Sequence, residues 1–233
     1  GDLFFMQSVL NFQKNEIAPI KKFLNTFEQK APTTEFQLLR AKIGKSMVTL
    51  FVSGKTVIQG TDHEQVKQQL LSALSLKKEL EIGVDEVGRG ENTGPFVVTA
   101  VLGDKNLLRE LRDSKKTKKI DEKFLVATKN SLANASISFN AEFVDLLRKE
   151  GINLNKMEAI AVKKVLEMFE ELNYYHKTTV DGSIAFLDKK GVEFLAKADD
   201  QNPVVGAASV IAKFQREKSG DKKKRESFKN SAP

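Results

Sequence analysis

The chain has 233 residues, of which 40% are hydrophobic and 30% are charged, so it is long enough for one large domain or two modest ones. It has no cysteine and only two histidines, which excludes disulfides, thiolate nucleophiles and cysteine- or histidine-rich metal sites, so any metal must be held by oxygen. No apolar run is long enough to cross a bilayer and no leader pattern is present, so we expect a soluble, cytoplasmic protein that does not bind membranes.

The net charge of +7 is unevenly distributed along the sequence. Residues 1–76 carry nine basic and six acidic side chains, and residues 213–233 carry eight basic and three acidic ones. Basic flanks favour a polyanionic partner, because lysine and arginine gain affinity by releasing the counterions of phosphates. For residues 222–225, however, charge alone favours the plainer interpretation of a solvated, frayed tail.

The first 76 residues have the pattern of a small α+β domain. Residues 15–30 carry apolar side chains at helical spacing, which predicts an amphipathic helix. Three runs rich in β-branched and apolar residues, at 36–43, 47–52 and 56–59, predict an antiparallel meander with hairpin turns at Gly44 and Gly54. Asp62 is then placed to cap a second helix. The lysine-rich start of residues 77–81 indicates a linker.

Beyond the linker, strands alternate with helices, which predicts an α/β domain over residues 82–233. Residues 96–102 are almost entirely apolar, as in a strand buried on both faces, and we expect them to pair with the strand that leads to Asp85. A further strand is predicted at 136–143 and another at 177–182. Helices are predicted at 121–133, from Asn155 as a cap to residue 172, and from Pro203 to residue 216.

The residues best suited to chemistry lie at the ends of predicted strands. Asp85 and Glu86 follow a short apolar strand and precede a glycine-rich loop, Asp181 ends a later strand, and Asp199 precedes a helix of small residues. Ligands of α/β folds bind at such strand ends. Carboxylates gathered there repel one another unless divalent cations neutralise them, and Mg²⁺ or Mn²⁺ suits all-oxygen ligands. Two ions about 4 Å apart can activate a water and stabilise the leaving oxygen of a phosphodiester.

Two other interpretations of these residues stay open. The loop at Gly88-Arg89-Gly90 superficially matches a dinucleotide fingerprint, although Gly94 falls one residue beyond the third glycine position and no helix pattern follows at once. Acidic residues at strand ends are also often only solvated or N-capping side chains.

Four short motifs, in this order, resemble those of the type 2 ribonuclease H family. They lie at residues 84–90 with 94–95, at 113–116, at 180–182, and at 197–199 followed by 207–213. Each motif is weak alone, but their order and spacing match the family over residues 80–217. Residues 39–60 also resemble the N-terminal domain of bacterial ribonuclease HIII, which is similar in fold to one repeat of the TATA-box-binding protein.

The resemblance implies an α/β ribonuclease H-like domain, with a mixed sheet flanked by helices, preceded by a small α+β TATA-box-binding-protein-like domain that holds the substrate. It implies an endonuclease that hydrolyses the RNA strand of RNA/DNA hybrids and leaves a 3′-hydroxyl and a 5′-phosphate. The residues that match the family's catalytic, metal-binding carboxylates are Asp85, Glu86, Asp181 and Asp199. Two ions, Mg²⁺ or Mn²⁺, are expected, with Asp85 bridging both.

The resemblance also assigns residues to substrate binding. Gly88, Arg89 and Gly90 match a loop whose backbone meets ribose 2′-hydroxyls, the group that distinguishes RNA from DNA. Ser114 and Lys115 match residues that meet backbone phosphate. For Asp113 beside them we favour a turn cap over a metal role. The spacing to Ser209 favours Asp199 over Asp200 as the fourth ligand.

The sequence departs from the family pattern in two places. Arg89 stands where ribonuclease HIII usually has lysine, and a planar guanidinium is no simple substitute for an ammonium. We still expect a preference for RNA/DNA hybrids, with duplex DNA containing embedded ribonucleotides as a second possible substrate. After residue 217 the family continues with helices that wall the substrate groove, whereas here the sequence runs quickly into residues 222–228. A shortened groove predicts the main alternative, a catalytically weak or inactive hybrid-binding protein. We expect a monomer in either case.

Overall fold

The computed structural model describes residues 6–74, 79–109, 111, 119–174, 176–182 and 191–227. The protein divides into two compact units, Gly1–Lys78 and Glu79–Pro233. Each unit contains a five-stranded sheet. Within the described ranges, no helix is long and apolar enough to span a membrane.

The first unit is an antiparallel sheet covered by two helices. Its elements are β1 (Gln7–Asn11), α1 (Lys14–Leu24), β2 (Glu28–Lys30), β3 (Gln37–Ile43), β4 (Ser46–Phe51), β5 (Lys55–Gly60) and α2 (His63–Ala73). The strand order is β1-β5-β4-β3-β2, with every neighbouring pair antiparallel. Buried side chains of the helices, such as Ile20 and Leu70, pack with Leu50 and Ile58 of the sheet to form the core.

The meander predicted for this unit is confirmed, with Gly44 and Gly54 at φ values of 55° and 87° in its turns. The helix predicted over residues 15–30 is wrong in its second half, because α1 ends at Leu24. Residues 28–30 pair instead with β3, an interaction that helical periodicity cannot reveal. Strand β1, which pairs with β5, was not predicted.

Asp62 precedes α2 but does not cap it, contrary to the prediction. Its carboxylate accepts hydrogen bonds from the backbone N–H of Lys45, at 2.8 Å, and from the hydroxyl of Ser46. Lys45 lies in the turn between β3 and β4, and Ser46 is the first residue of β4. Asp62 therefore ties the helix start to this turn, and the two hydrogen bonds hold its pKa below the usual value.

The second unit is a mixed sheet with helices on both faces. Its elements are β6 (Leu80–Val87), β7 (Phe96–Asp104), α3 (Ile120–Asn130), β8 (Ser131–Phe139), α4 (Ala141–Lys149), α5 (Leu154–Glu171), β9 (Lys177–Asp181), β10 (Val192–Leu195), α6 (Ala198–Gln201) and α7 (Pro203–Lys218). The strand order is β10-β9-β6-β7-β8. Strands β6, β7 and β8 are antiparallel, whereas β9 is parallel to β6 and β10 is parallel to β9.

Two apolar clusters cover the two faces of this sheet. Val162 and Phe169 of α5 belong to the cluster that includes Ala100 of β7, whereas Ala208 and Ile211 of α7 belong to the cluster that includes the next residue, Val101. Successive side chains of a strand point to opposite faces, so β7 is buried on both sides, as predicted. The mixed sheet flanked by helices is therefore confirmed.

Several predicted boundaries in this unit are wrong. Leu80 and Glu81 belong to β6 and not to a linker. The helix predicted to residue 133 ends at Asn130, since β8 begins at Ser131 and pairs along the length of β7. Residues 141–149, partly assigned to a strand, form α4. The predicted strand at 177–182 and the predicted helix from Pro203 are confirmed as β9 and α7, but β10 and α6 were not predicted.

Candidate active site

Strands β6 and β9 bring two of the predicted carboxylates together. Val84 pairs with Val180 in a parallel register, so the next residues, Asp85 and Asp181, lie side by side at the same edge of the sheet. Asp85 is buried, with 5% of its surface exposed, and Asp181 is half-buried. One carboxylate oxygen of Asp181 accepts a 2.6 Å hydrogen bond from the backbone N–H of Ala198, at the start of α6.

Burial raises the pKa of Asp85 to about 8. The Ser209 hydroxyl and the N–H of Glu86, which donates to Oδ1 at 2.8 Å, oppose this change, whereas the charges of Glu86 and Asp181 add to it. In the described part of the protein the Ser209 hydroxyl has no well-formed hydrogen bond, so its effect on Asp85 is that of a neighbouring dipole. Two negative charges and little water therefore surround the central carboxylate.

Glu86 lies in the same electrostatic environment. Its pKa is raised to about 7, mainly by burial and also by the charges of Glu158 and Asp181, while Arg89 opposes these effects. Successive side chains of a regular strand point to opposite faces, and the pairing of Glu86 with Val98 shows that β6 stays regular at this residue. Coupling to Asp181 nevertheless places both carboxylates in one group.

Glu158 of α5 is a further carboxylate in this group that was not predicted. Only 3% of it is exposed, and burial raises its pKa, an effect that Arg89 opposes and Asp85 strengthens. Its signal in the sequence is an acidic side chain between Met157 and Ala161 on the buried stripe of a helix. Such a position is rare for glutamate unless the charge is paired.

Arg89 pairs with this glutamate. Its Nη1 lies 3.3 Å from Oε2 of Glu158, and its Nη2 donates to the side-chain oxygen of Asn155. The prediction that Asn155 caps α5 is therefore wrong. Asn153 caps the helix by accepting a hydrogen bond from the backbone N–H of Lys156 at 2.9 Å. The guanidinium fork binds two acceptors on one helix, which a single ammonium cannot do in the same way.

The glycine-rich loop after β6 is fixed by basic side chains. Gly88 and Gly94 have φ values of 86° and 71°, while Gly90 is exposed and has open space around it. Arg225 is 1% exposed and donates to carbonyl oxygens of this loop. The interpretation of residues 222–225 as a frayed tail is therefore wrong, because charge does not reveal that one of these side chains is buried.

The remaining predicted residues are only partly placed. Asp199 is half-buried in α6, directly after the residue that binds Asp181, whereas Asp200 is exposed. The predicted residues Asp113, Ser114 and Lys115 lie outside the described residues. Within the described ranges, no three acidic or histidine side chains converge closely enough to enclose an ion as they stand.

The sequence profile described as Ribonuclease HII matches residues 82–232, so the chain belongs to the ribonuclease HII family. Ribonuclease HII of Methanococcus maripaludis is 32% identical over 174 residues, which cover 66% of this chain and 72% of that protein. Ribonuclease HIII of Lactococcus lactis subsp. cremoris is 25% identical over 238 residues, which cover 90% of this chain and 80% of that protein.

Two solved structures share the fold over both units. The crystal structure of Aquifex aeolicus RNase H3 has a TM-score of 0.53 and 23% identity, covering 91% of this chain and 84% of that one. Bst-RNase HIII in complex with Mn²⁺ has a TM-score of 0.52 and 19% identity, covering 91% of this chain and 81% of that one. The predicted similarity to ribonuclease HIII is thus confirmed, as is the prediction of a metal-dependent endoribonuclease.

Proposed function

We propose that this protein is an endonuclease that hydrolyses the RNA strand of RNA/DNA hybrids, with Asp85, Glu86, Asp181 and Asp199 as its catalytic carboxylates. One observation carries the proposal: within a ribonuclease family, Asp85 near the end of β6 and Asp181 at the end of the adjacent parallel strand β9 lie side by side and share one electrostatic environment with Glu86. Asp199 is included because it matches the family motif and directly follows Ala198, whose backbone N–H binds Asp181.

The chemistry of these side chains fits divalent Mg²⁺ or Mn²⁺. The donors are all oxygen atoms, and burial together with mutual repulsion raises the pKa of Asp85 to about 8 and of Glu86 to about 7. A divalent cation removes this repulsion and favours the ionised forms at neutral pH. Two bound ions would supply an activated water and charge stabilisation at the leaving oxygen, giving a 3′-hydroxyl and a 5′-phosphate.

The protein's own residues then orient the substrate. The backbone of Gly88, Arg89 and Gly90 meets ribose 2′-hydroxyls, so that only an RNA strand is bound next to the carboxylates. Ser114 and Lys115 bind the phosphate backbone. The basic first unit, residues 1–76, holds the hybrid through its phosphates, and residues 82–233 form the catalytic domain.

A strand-specific cleavage assay tests this function. A hybrid is labelled on the RNA strand or, separately, on the DNA strand and incubated with the full-length protein in Mg²⁺ or in Mn²⁺. We expect cuts only in RNA, with 5′-phosphate at the new ends and no cuts in EDTA. A protein that is folded by circular dichroism, binds the hybrid and leaves the RNA uncut in both metals would instead be a hybrid-binding protein without activity.

A further inference from the structure

A single buried arginine joins both ends of the glycine-rich loop, residues 88–94. Nη1 of Arg225 donates to the carbonyl oxygen of Gly88 at 2.7 Å, and Nε donates to that of Gly94 at 2.9 Å. The backbone N–H of Arg225 also donates to the carbonyl oxygen of Asn92, at 2.7 Å. The loop therefore has three of its carbonyl groups directed at one residue.

The segment that carries this arginine, residues 219–227, is itself anchored; we name it the strap. Asp221 accepts from the backbone N–H of Ala141 at 3.0 Å, at the start of α4. Further along, Asp145 of α4 accepts from the backbone N–H groups of Glu226, at 2.8 Å, and Ser227, at 3.0 Å. Hydrogen bonds on both sides of Arg225 thus fix the strap to one helix.

A second arginine supports the loop from another element. Arg216 of α7 donates from Nε to the carbonyl oxygen of Pro95 at 3.1 Å, and from Nη2 to that of Thr93 at 2.7 Å. The same Nη2 lies 2.6 Å from a carboxylate oxygen of Glu91. The hydrogen bonds and the ion pair of Arg216 fall on residues 91–95, whereas the carbonyl oxygen of Gly88, at the start of the loop, accepts from Arg225.

The contact at Gly88 determines where the next amide points. A trans peptide unit is planar, and its C=O and N–H groups point in opposite directions. Because the carbonyl of Gly88 points at the buried guanidinium of Arg225, the N–H of Arg89 points away from it. This amide belongs to the stretch proposed to meet the ribose 2′-hydroxyl.

We propose that Arg225 is a positioning residue for ribose recognition: it holds the loop so that its amides are preorganised for a 2′-hydroxyl. The inference rests on the proposed function of the loop. Without the guanidinium of Arg225, the carbonyl groups of Gly88 and Gly94 lose its hydrogen bonds, so the start of the loop must be ordered when the substrate binds, which lowers affinity. The loss concerns the 2′-hydroxyl contacts alone, so binding of an all-DNA duplex is unchanged.

Direct binding tests this role without catalysis. Fluorescence anisotropy with labelled duplexes of one sequence, in EDTA to prevent metal-dependent cleavage, gives the Kd of the hybrid and of the all-DNA duplex. For Arg225→Met we expect the hybrid Kd to rise about tenfold while the DNA Kd stays within about twofold. Lys224→Met is the matched control, since it removes one exposed positive charge from the same strap and should weaken both duplexes equally.

Arg225→Lys is the second variant, in case the methionine variant does not fold. Its ammonium can reach one carbonyl at a time, so we expect an intermediate loss of about threefold for the hybrid alone. An unchanged ratio of the two Kd values in a folded Arg225 variant overturns the proposal. A wild-type protein that binds the hybrid no more tightly than the all-DNA duplex overturns the proposed function of the loop itself. This result is distinguishable from an unchanged Kd ratio in an Arg225 variant, which overturns only the role of Arg225.

Discussion

Arg89 joins the loop to helix α5 through a glutamate that has almost no contact with water. Because Glu158 is 3% exposed and Arg89 is its ion-pair partner, Arg89→Met leaves a buried carboxylate without compensation. We expect the free energy of unfolding to fall by about 1–2 kcal/mol at pH 8, less than for a fully buried pair because Arg89 itself is partly exposed.

The double variant Arg89→Met/Glu158→Gln separates this cause from a loss of packing. A neutral amide removes the uncompensated charge, so urea unfolding should show that the double variant is more stable than Arg89→Met. A double variant that is less stable than the single one would contradict the role assigned to this pair.

The raised pKa values of Asp85 and Glu86 predict how stability depends on pH without metal. In the unfolded protein these carboxyl groups ionise near pH 4, whereas in the folded protein they ionise near 8 and 7. Between these values the folded state binds more protons, so the free energy of unfolding falls as pH rises from about 4 to 8. In EDTA we expect the Tm to fall by several degrees between pH 5.5 and 8.5.

Two additions to that measurement identify the carboxylates responsible. Asp85→Asn removes the group with the larger shift, so the Tm of this variant should depend less on pH. Mg²⁺ should raise the Tm of the wild type more at pH 8.5 than at pH 5.5, because cation binding requires ionised ligands. A Tm that depends on pH equally in both proteins would contradict the assignment.

At the scale of elements, the contact between β6 and α7 requires a glycine. A Cβ at Gly83 would lie 2.4 Å from the backbone nitrogen of Val205 and 2.5 Å from the carbonyl carbon of Val204. We expect Gly83→Ala to lower the free energy of unfolding by about 2–3 kcal/mol, because the helix must move away from the strand that carries Asp85. Gly90→Ala is the stability control, since a Cβ there meets no atom within 4 Å. Equal unfolding midpoints in urea would contradict this packing.

Elements whose burial follows from the pattern of apolar and small residues within their own sequence could be predicted. The almost entirely apolar run of β7 and the small residues of α7 indicated burial, and both elements were placed correctly. Two helices were predicted to extend too far, one over the second half of residues 15–30 and one into the first residues of β8. Pairing with β3 in the first case and with β7 in the second overrides local helical spacing.

The candidate site could likewise be predicted only in part from the sequence. Asp85 and Asp181 could be found because each was predicted at the end of a strand, next to a glycine-containing turn or loop. Glu158 had only one signal, its place on the apolar stripe of α5, and Arg225 had none, since the importance of both comes from burial against residues far away in the sequence. A charge in a sequence does not show whether it is solvated or paired.

At the scale of the whole molecule, the basic flanks do not act uniformly. The three lysines of residues 222–225 are exposed, with Lys223 paired to Glu142 on the surface, whereas Arg225 is buried inside the protein. The net charge therefore describes long-range attraction to a polyanion, while recognition of ribose depends on a few buried contacts. Long-range attraction depends on salt, whereas recognition of ribose does not. The affinities for the hybrid and for the all-DNA duplex should therefore fall in parallel as the salt concentration rises.

The most direct test of the central claim is the measurement of turnover and hybrid affinity for Asp181→Asn. If Asp181 is a catalytic metal ligand, kcat in Mg²⁺ should fall by at least about a thousandfold, while the Kd for the hybrid in EDTA changes by less than about threefold. Asp200→Asn, an exposed neighbour of Asp199, is the matched control and should keep wild-type turnover. Wild-type turnover in a folded Asp181→Asn protein would contradict the account, because the carboxylates at the ends of β6 and β9 would then not be the site of cleavage.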